Sequence, residues 1–284
     1  MTRNQDAGHV GVKESTQNTQ YDQIGTKYNR IKTLPATEAE VPSVVRALGD
    51  IVGKKCLDLA CGTGKYTALL SSLGASTVHG YDISPAMIAG AKATYPPAQN
   101  PNLHFAVADC SLPDISLPHS SSPSDNNKTG NFDIVLAVWF LNYAGTETEL
   151  TNMFRVIEKN LVTGGRFVGL TTNVHDPQMQ LDKRDFYGID VLVLDAAYVD
   201  PSSSSSANEE VLGVKMRVVV KGEMPFQFDV FQFRKEVYER CAERAGLKLA
   251  WKELVLPEDE RRGNGYWDWF VERPTFVIVE AVRV

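Results

Sequence analysis

The segment Asp58-Leu-Ala-Cys-Gly62-Thr-Gly64-Lys-Tyr-Thr67 combines residue types and spacing that could do chemistry. It joins an apolar run, Lys55 to Ala60, to a helical pattern from Gly64 to Leu73, so a strand turns into a helix here. Glycines at such a turn let a ligand approach the backbone, and the helix N-terminus offers it unpaired amides. A phosphate-cradling loop of the form GxxxxGK[ST] does not fit. Leu59 stands where its first glycine is required, and Tyr66 follows the lysine in place of Ser or Thr. The dinucleotide fingerprint GxGxxG finds Gly62 and Gly64, but Thr67 replaces its third glycine.

The surrounding elements must position this turn. Thr77 to Tyr81, Leu103 to Ala108, Phe132 to Trp139 and Arg166 to Thr172 read as further strands. Ser84-Pro85 opens a helix, with Ser as cap and Pro at the first helical position. Thr146 to Asn160 reads as a helix stopped by Gly164-Gly165. Strand–helix alternation predicts an α/β fold, a mostly parallel sheet with helices on both faces. Phe233 to Ala245 reads as a helix stopped by Gly246. Leu247 to Leu256 and Thr275 to Val284 are then two strands with no helical pattern between them, expected to pair as a hairpin that leaves a C-terminal antiparallel strand. Residues 174–232 depart from the rhythm, with β-like runs at Val191 to Leu194, Val214 to Lys221 and Phe226 to Phe233, and read as an insertion after the fifth strand. Residues 1–20 read as a disordered polar tail before one domain, 21–284. The Ser-rich stretches Pro118 to Asn131 and Asp200 to Glu210 read as surface loops.

Composition narrows the function classes. Lys plus Arg is 29 against 35 for Asp plus Glu, a net charge of -6, which disfavours a nucleic-acid partner. The longest apolar run, Ile134 to Leu141, is too short to span a bilayer, and the first twenty residues show no secretory pattern. Four cysteines without a CxxC pair or zinc spacing point to a reducing, cytoplasmic setting and to no structural metal.

The pattern Asp58-x-Ala60-x-Gly62-x-Gly64 resembles the first motif of class I S-adenosylmethionine (SAM)-dependent methyltransferases. Asp82 ends the second strand and Asp109 the third, in Val107-Ala-Asp109-Cys110. Phe132 to Trp139 resembles the fourth motif, and Leu161-Val-Thr-Gly-Gly-Arg-Phe167 the glycine turn before the fifth strand. Tyr21-Asp-Gln-Ile-Gly-Thr-Lys-Tyr28 resembles the opening of small-molecule branches, the ubiquinone/menaquinone C-methyltransferase-like and toxoflavin N-methyltransferase-like enzymes. The resemblance implies a Rossmann-like seven-stranded sheet, with residues 21–50 as a lid and 174–232 forming an acceptor pocket.

It also implies roles for single residues. Asp58 would orient the amino acid part of SAM, Ala60 would belong to the same cofactor-binding motif, and Gly62 and Gly64 would allow backbone approach. Asp82 would grip the ribose hydroxyls, and Ile83 and Met87 would enclose adenine. Asp109 and the Cys110 amide would meet the adenine amino group. Tyr21 and Tyr28 would line the methionine end, and Val138 and Tyr143, after the fourth strand, would lie where the sulfur end meets the acceptor. Methyl transfer from a sulfonium is chiefly a matter of alignment and water exclusion, so no base motif is required unless the acceptor starts protonated. His175, after the fifth strand, is the candidate base, with Asp176 beside it, and Tyr143 the second candidate catalytic residue. The aromatic stretch Tyr266-Trp-Asp-Trp-Phe270 could wall an acceptor or cover the sheet edge. The expected reaction is methylation of oxygen or nitrogen on a small organic acceptor of secondary metabolism, by a monomer or homodimer. The alternatives are a SAM-binding regulator or cyclase without methyl transfer, and a protein methyltransferase.

Overall fold

Strands β1 (Lys55–Leu59), β2 (Thr77–Asp82), β3 (Leu103–Val107), β4 (Phe132–Val138) and β5 (Leu161–Thr172) arise from the five apolar runs. In β1 every residue after Lys55 is buried, as befits a strand covered on both faces. The computed structural model describes residues 20–113, 115, 117, 130–202, 210–223 and 225–284, without the side chains of 22, 23 and 25–28. The tail expectation and the two Ser-rich loops therefore lie largely outside the described residues.

The main sheet has seven strands in the order β10-β11-β5-β4-β1-β2-β3, where β10 is Ala250–Lys252 and β11 is Phe276–Val282. β1 pairs in parallel with both β2 and β4, so the chain reverses its direction of travel across the sheet at β1. In open α/β sheets, ligands collect at the carboxyl ends of the strands flanking such a switch point. β11 runs antiparallel to β5 and β10, the C-terminal arrangement expected above.

The helices are α1 (Gln20–Ile24), α2 (Glu40–Leu48), α3 (Lys65–Ser72), α4 (Pro85–Thr94), α5 (Glu147–Asn160), α6 (Lys235–Arg244) and α7 (Asp268–Glu272). Ser84 Oγ accepts from the Met87 amide at 3.2 Å, and Thr146 Oγ1 from the Glu149 amide at 3.1 Å, so both caps form as the sequence implies.

Two expectations are corrected. α5 is not stopped by Gly164-Gly165: Leu161 already leaves it with an extended ψ of 141° and pairs with Phe132. Joining the sheet competes with the next helical turn and wins three residues before the glycines. The terminal hairpin is not a bare loop, because a 3-10 turn (Glu260–Gly263) and α7 lie between its strands. α7 is short and exists because burial holds it, with the Phe270 ring stacked on Phe186 and edge-on to Phe276.

Residues after β5 build a second sheet, β6 (Lys183–Phe186), β7 (Ile189–Val199), β8 (Val211–Val220) and β9 (Phe226–Phe233), antiparallel throughout and in that order. Val191 stands opposite Val218, and Val218 opposite Phe228, so strand alternation lays these residues in one row on one face.

Candidate functional site

The turn after β1 is held from below and behind. Cys61 donates its amide to the Tyr81 carbonyl at 3.0 Å, and Gly62 its amide to Asp82 Oδ2 at 2.9 Å. Asp82 Oδ1 accepts from the Ser84 amide at 2.9 Å, so one carboxylate ties the β1 turn to the start of α4. Gly62 adopts φ +55°, and a Cβ built there meets no protein atom within 4 Å, which leaves the space over it for a ligand. Gly64 is different. At φ +85° its Cβ would stand 3.0 Å from the Phe105 and Tyr95 rings, so that glycine serves packing rather than ligand approach.

Three adjoining hollows open along the carboxyl ends of β1 to β4. One is lined by Tyr21, Asp82, Ile83, Asp109 and Cys110, among others. A second, lined by Gly62, Asp82, Met87 and Val138, joins it. The third, about 1010 Å³ to its open mouth, runs from Gly62 and Val138 beneath the apolar face of the second sheet. Ala60 and Tyr143 line all three, so they mark the junction. Tyr21 and Tyr143 hydrogen-bond to each other through their hydroxyls. Burial pushes the Tyr143 phenol well above its ordinary value, which keeps it a neutral hydroxyl.

The structure thus brings together Tyr21, Ala60, Gly62, Asp82, Ile83, Met87, Asp109, Cys110, Val138 and Tyr143. The Tyr28 side chain lies outside the described residues. Asp58 lines none of the three hollows: it is buried under the turn and accepts from Thr67 Oγ1 at 2.6 Å. Burial pushes its carboxyl up to about 7. The folded state therefore holds this proton more tightly than the unfolded chain, and ionising Asp58 as pH rises towards 7 removes stability. Between pH 5 and 8 that loss is about 3 kcal/mol. An Asp58→Asn chain is expected to escape this loss, which urea midpoints of both proteins at the two pH values measure.

His175 departs from expectation. It is exposed, its ring edge-on to Trp251, and it lines none of the hollows. The turn after β5, closed by the Asp176 amide on the Asn173 carbonyl at 3.2 Å, carries it outward and Asp176 inward. The aromatic stretch covers the sheet rather than walling a cavity, since Trp267 and Phe270 are buried in the core.

Sequence reasoning missed many of the side chains that line the large cavity, and four of these bear most on its chemistry. Glu40 is 4% exposed and accepts from Tyr66 Oη at 2.7 Å and Trp139 Nε1 at 2.8 Å, with Lys65 Nζ at 3.4 Å. Lys32 donates to Thr63 Oγ1; burial, then the nearby Lys65 charge, lowers it to about 8. Asn142 and Lys183 are the other two. No local pattern announces any of them. In the structure Trp139 and Ala60, both non-glycine residues of the cavity wall, stand at φ +57° and +58°, a conformation the surroundings must enforce.

Comparison with known proteins follows the same lines. The family described as "Methyltransferase domain" matches residues 56–165. The demethylmenaquinone methyltransferase of Lactococcus lactis subsp. lactis (strain IL1403) is 31% identical over 163 residues, a match spanning 56% of this chain and 58% of that protein. A crystal structure of an S-adenosylmethionine-dependent methyltransferase from Mesorhizobium loti is similar with a TM-score of 0.58 and 18% identity, over 86% of this chain and 98% of that one. The SAM-bound amino pentose methyltransferase of calicheamicin biosynthesis from Micromonospora echinaspora is similar with a TM-score of 0.51 and 17% identity, over 91% of this chain and 95% of that one. At these identities the structural likeness is one of fold.

Proposed function

We propose that this chain, whose residues 56–165 form the methyltransferase domain of a class I S-adenosylmethionine-dependent enzyme, methylates oxygen or nitrogen on a small organic molecule. The observation that carries the reading is the junction at Ala60 and Tyr143. There, hollows edged by Gly62, Asp82 and Asp109 meet a cavity roofed by the second sheet. The relatives' natural-product and quinone acceptors agree with a small molecule.

S-adenosylmethionine supplies a methyl on a sulfonium; its transfer breaks the C–S bond, forms C–O or C–N, and leaves S-adenosylhomocysteine (SAH) and a proton. The chain's residues bind and align. Asp82, whose carboxylate takes the Gly62 and Ser84 amides, would also grip the ribose hydroxyls. Asp109 holds Ser111 through Oδ1, at 3.0 Å to the amide and 2.6 Å to Oγ, and keeps Oδ2 for the adenine amino group. Ile83 and Met87 would flank the ring. Lys32 would hold the methionine carboxylate and Glu40 its ammonium. Gln20, bonded through its amide to the backbone of Asp229, stitches the N-terminal segment to β9, so lid and roof close together over the junction and exclude water.

Calorimetric titration with SAM, SAH and NAD tests the reading, followed by mass spectrometry of acceptor mixtures for a gain of one methyl. Micromolar binding of SAM and SAH, silence for NAD and accumulation of SAH are the expected results. Binding of NAD alone, or SAM binding without turnover on any acceptor, overturns it.

A further inference from the structure

The roof of the large cavity is apolar, presenting Val191, Met216, Val218 and Phe228. Polar side chains interrupt this apolar end: Gln232 and Thr172 donate to the Asn173 and Phe231 carbonyls, whereas two others, Asn142 and Lys183, keep hydrogen-bonding capacity in hand. Asn142 lines the cavity one residue before Tyr143 and is 1% exposed, yet neither its Oδ1 nor its Nδ2 has a hydrogen-bond partner among the described residues. A buried amide left unmade at both ends costs stability that an apolar residue of the same size does not. A partner from outside the chain accounts for its presence at this wall.

Lys183 is the other. It lines the same cavity, is 6% exposed, places Nζ 2.9 Å from Asp176 Oδ2 and donates to the Pro274 carbonyl at 3.3 Å. An ammonium has three donors, so one remains. Arg273 pairs with the same Asp176 at 3.2 Å. Two cations against one carboxylate leave a surplus of one positive charge behind the cavity wall. The other charged groups on the wall, Lys32, Glu40 and Lys65, gather beside the turn after β1, where Glu40 already pairs with Lys65. Arg273 is partly exposed and also donates to the Gln178 and Leu181 carbonyls, whereas the Lys183 ammonium is buried and shares its one carboxylate, so an anion at the cavity wall would complete its counter-charge.

Resting on the reading that this cavity takes the methyl acceptor, we propose that the acceptor is an apolar molecule bearing an acidic oxygen that seats on Lys183, with its nucleophilic hydroxyl or N–H held by the Asn142 carboxamide beside Tyr143. The carboxamide accepts from the nucleophile's hydrogen through Oδ1 and donates through Nδ2 to a neighbouring oxygen. The Lys183 ammonium makes the charge-assisted bond that sets an acid apart from its neutral analogue.

The test uses matched pairs, the acid and methyl ester of 4-hydroxybenzoic, 4-hydroxycinnamic and 3-hydroxy-2-naphthoic acids, titrated into the full chain with SAH bound. At least one acid is expected to bind about tenfold or more tightly than its ester. Lys183→Met should erase that preference and Lys183→Arg restore part of it, with SAH affinity within about twofold of the parent, since Asp176 keeps Arg273. Asn142→Leu should weaken acid and ester alike while raising the ligand-free Tm by about 2–4 °C. A residue serving structure alone would lower the Tm on this change. Equal affinity of acid and ester, no binding by any acid, or a preference that survives Lys183→Met overturns the proposal. Failure of SAH to bind the parent chain overturns the functional reading as well, whereas SAH binding without acid preference overturns this proposal alone.

Discussion

An Asp82→Ala chain is expected to bind S-adenosylmethionine at least about 100-fold more weakly than the parent chain. Two charge-assisted hydrogen bonds to the ribose hydroxyls, each contributing about 1.5–3 kcal/mol, account for two orders of magnitude or more. The loss extends further, because the same carboxylate accepts the Gly62 amide at 2.9 Å and the Ser84 amide at 2.9 Å. Without it the turn after β1 loses its tie to α4, and the backbone that should meet the ligand is no longer pre-organised. Asp82→Asn is expected to fall close to the alanine variant. An amide nitrogen facing either backbone donor sets two donors against each other. Calorimetry measures both variants. A change below about threefold for Asp82→Ala would show that the ribose lies elsewhere.

The second large effect belongs to Glu40. Its carboxylate is buried and shared by the Tyr66 hydroxyl, the Trp139 indole and the Lys65 ammonium. Glu40→Leu removes the acceptor and leaves a buried hydroxyl and indole N–H unmade, each costing about 1–3 kcal/mol. The expected destabilisation is about 3 kcal/mol, a fall in Tm on the order of 10 °C. Methyl transfer should disappear even well below the new midpoint. Trp139, at φ +57°, is held by this bond at the cavity wall, and Glu40 itself lines the cavity where the proposed reading puts the methionine end. Differential scanning fluorimetry and an SAH-release assay at 15 °C separate the two consequences. Retained turnover with a lowered Tm would make Glu40 purely structural.

How far these residues were visible beforehand depends on the range of the interaction that defines them. The pattern of Ala60, Gly62, Asp82 and Asp109 is local: each follows closely on or ends a strand whose apolar period is plain, and Gly64, which the packing of Phe105 and Tyr95 requires, lies in the same turn. The parallel order about β1 follows from the same alternation. α7 escaped notice because its helix depends on Phe270 meeting Phe186, contributed by the other sheet. His175 was misplaced because the direction of a side chain in a turn depends on which neighbour the fold buries, and here Asp176 is drawn inward by Lys183 and Arg273.

The sequence by itself therefore determined the α/β sheet, its C-terminal antiparallel strand and the turn and carboxylates along its edge, since periodicity and strand-end spacing are short-range properties. Only the tertiary structure decided which side chains surround the junction. Glu40 and Trp139 stand 99 residues apart in the chain, and Asn142 and Lys183 come from opposite sides of the insertion's start. Their significance lies in burial, a missing partner and a surplus charge, and none of these exists until distant segments exclude water together.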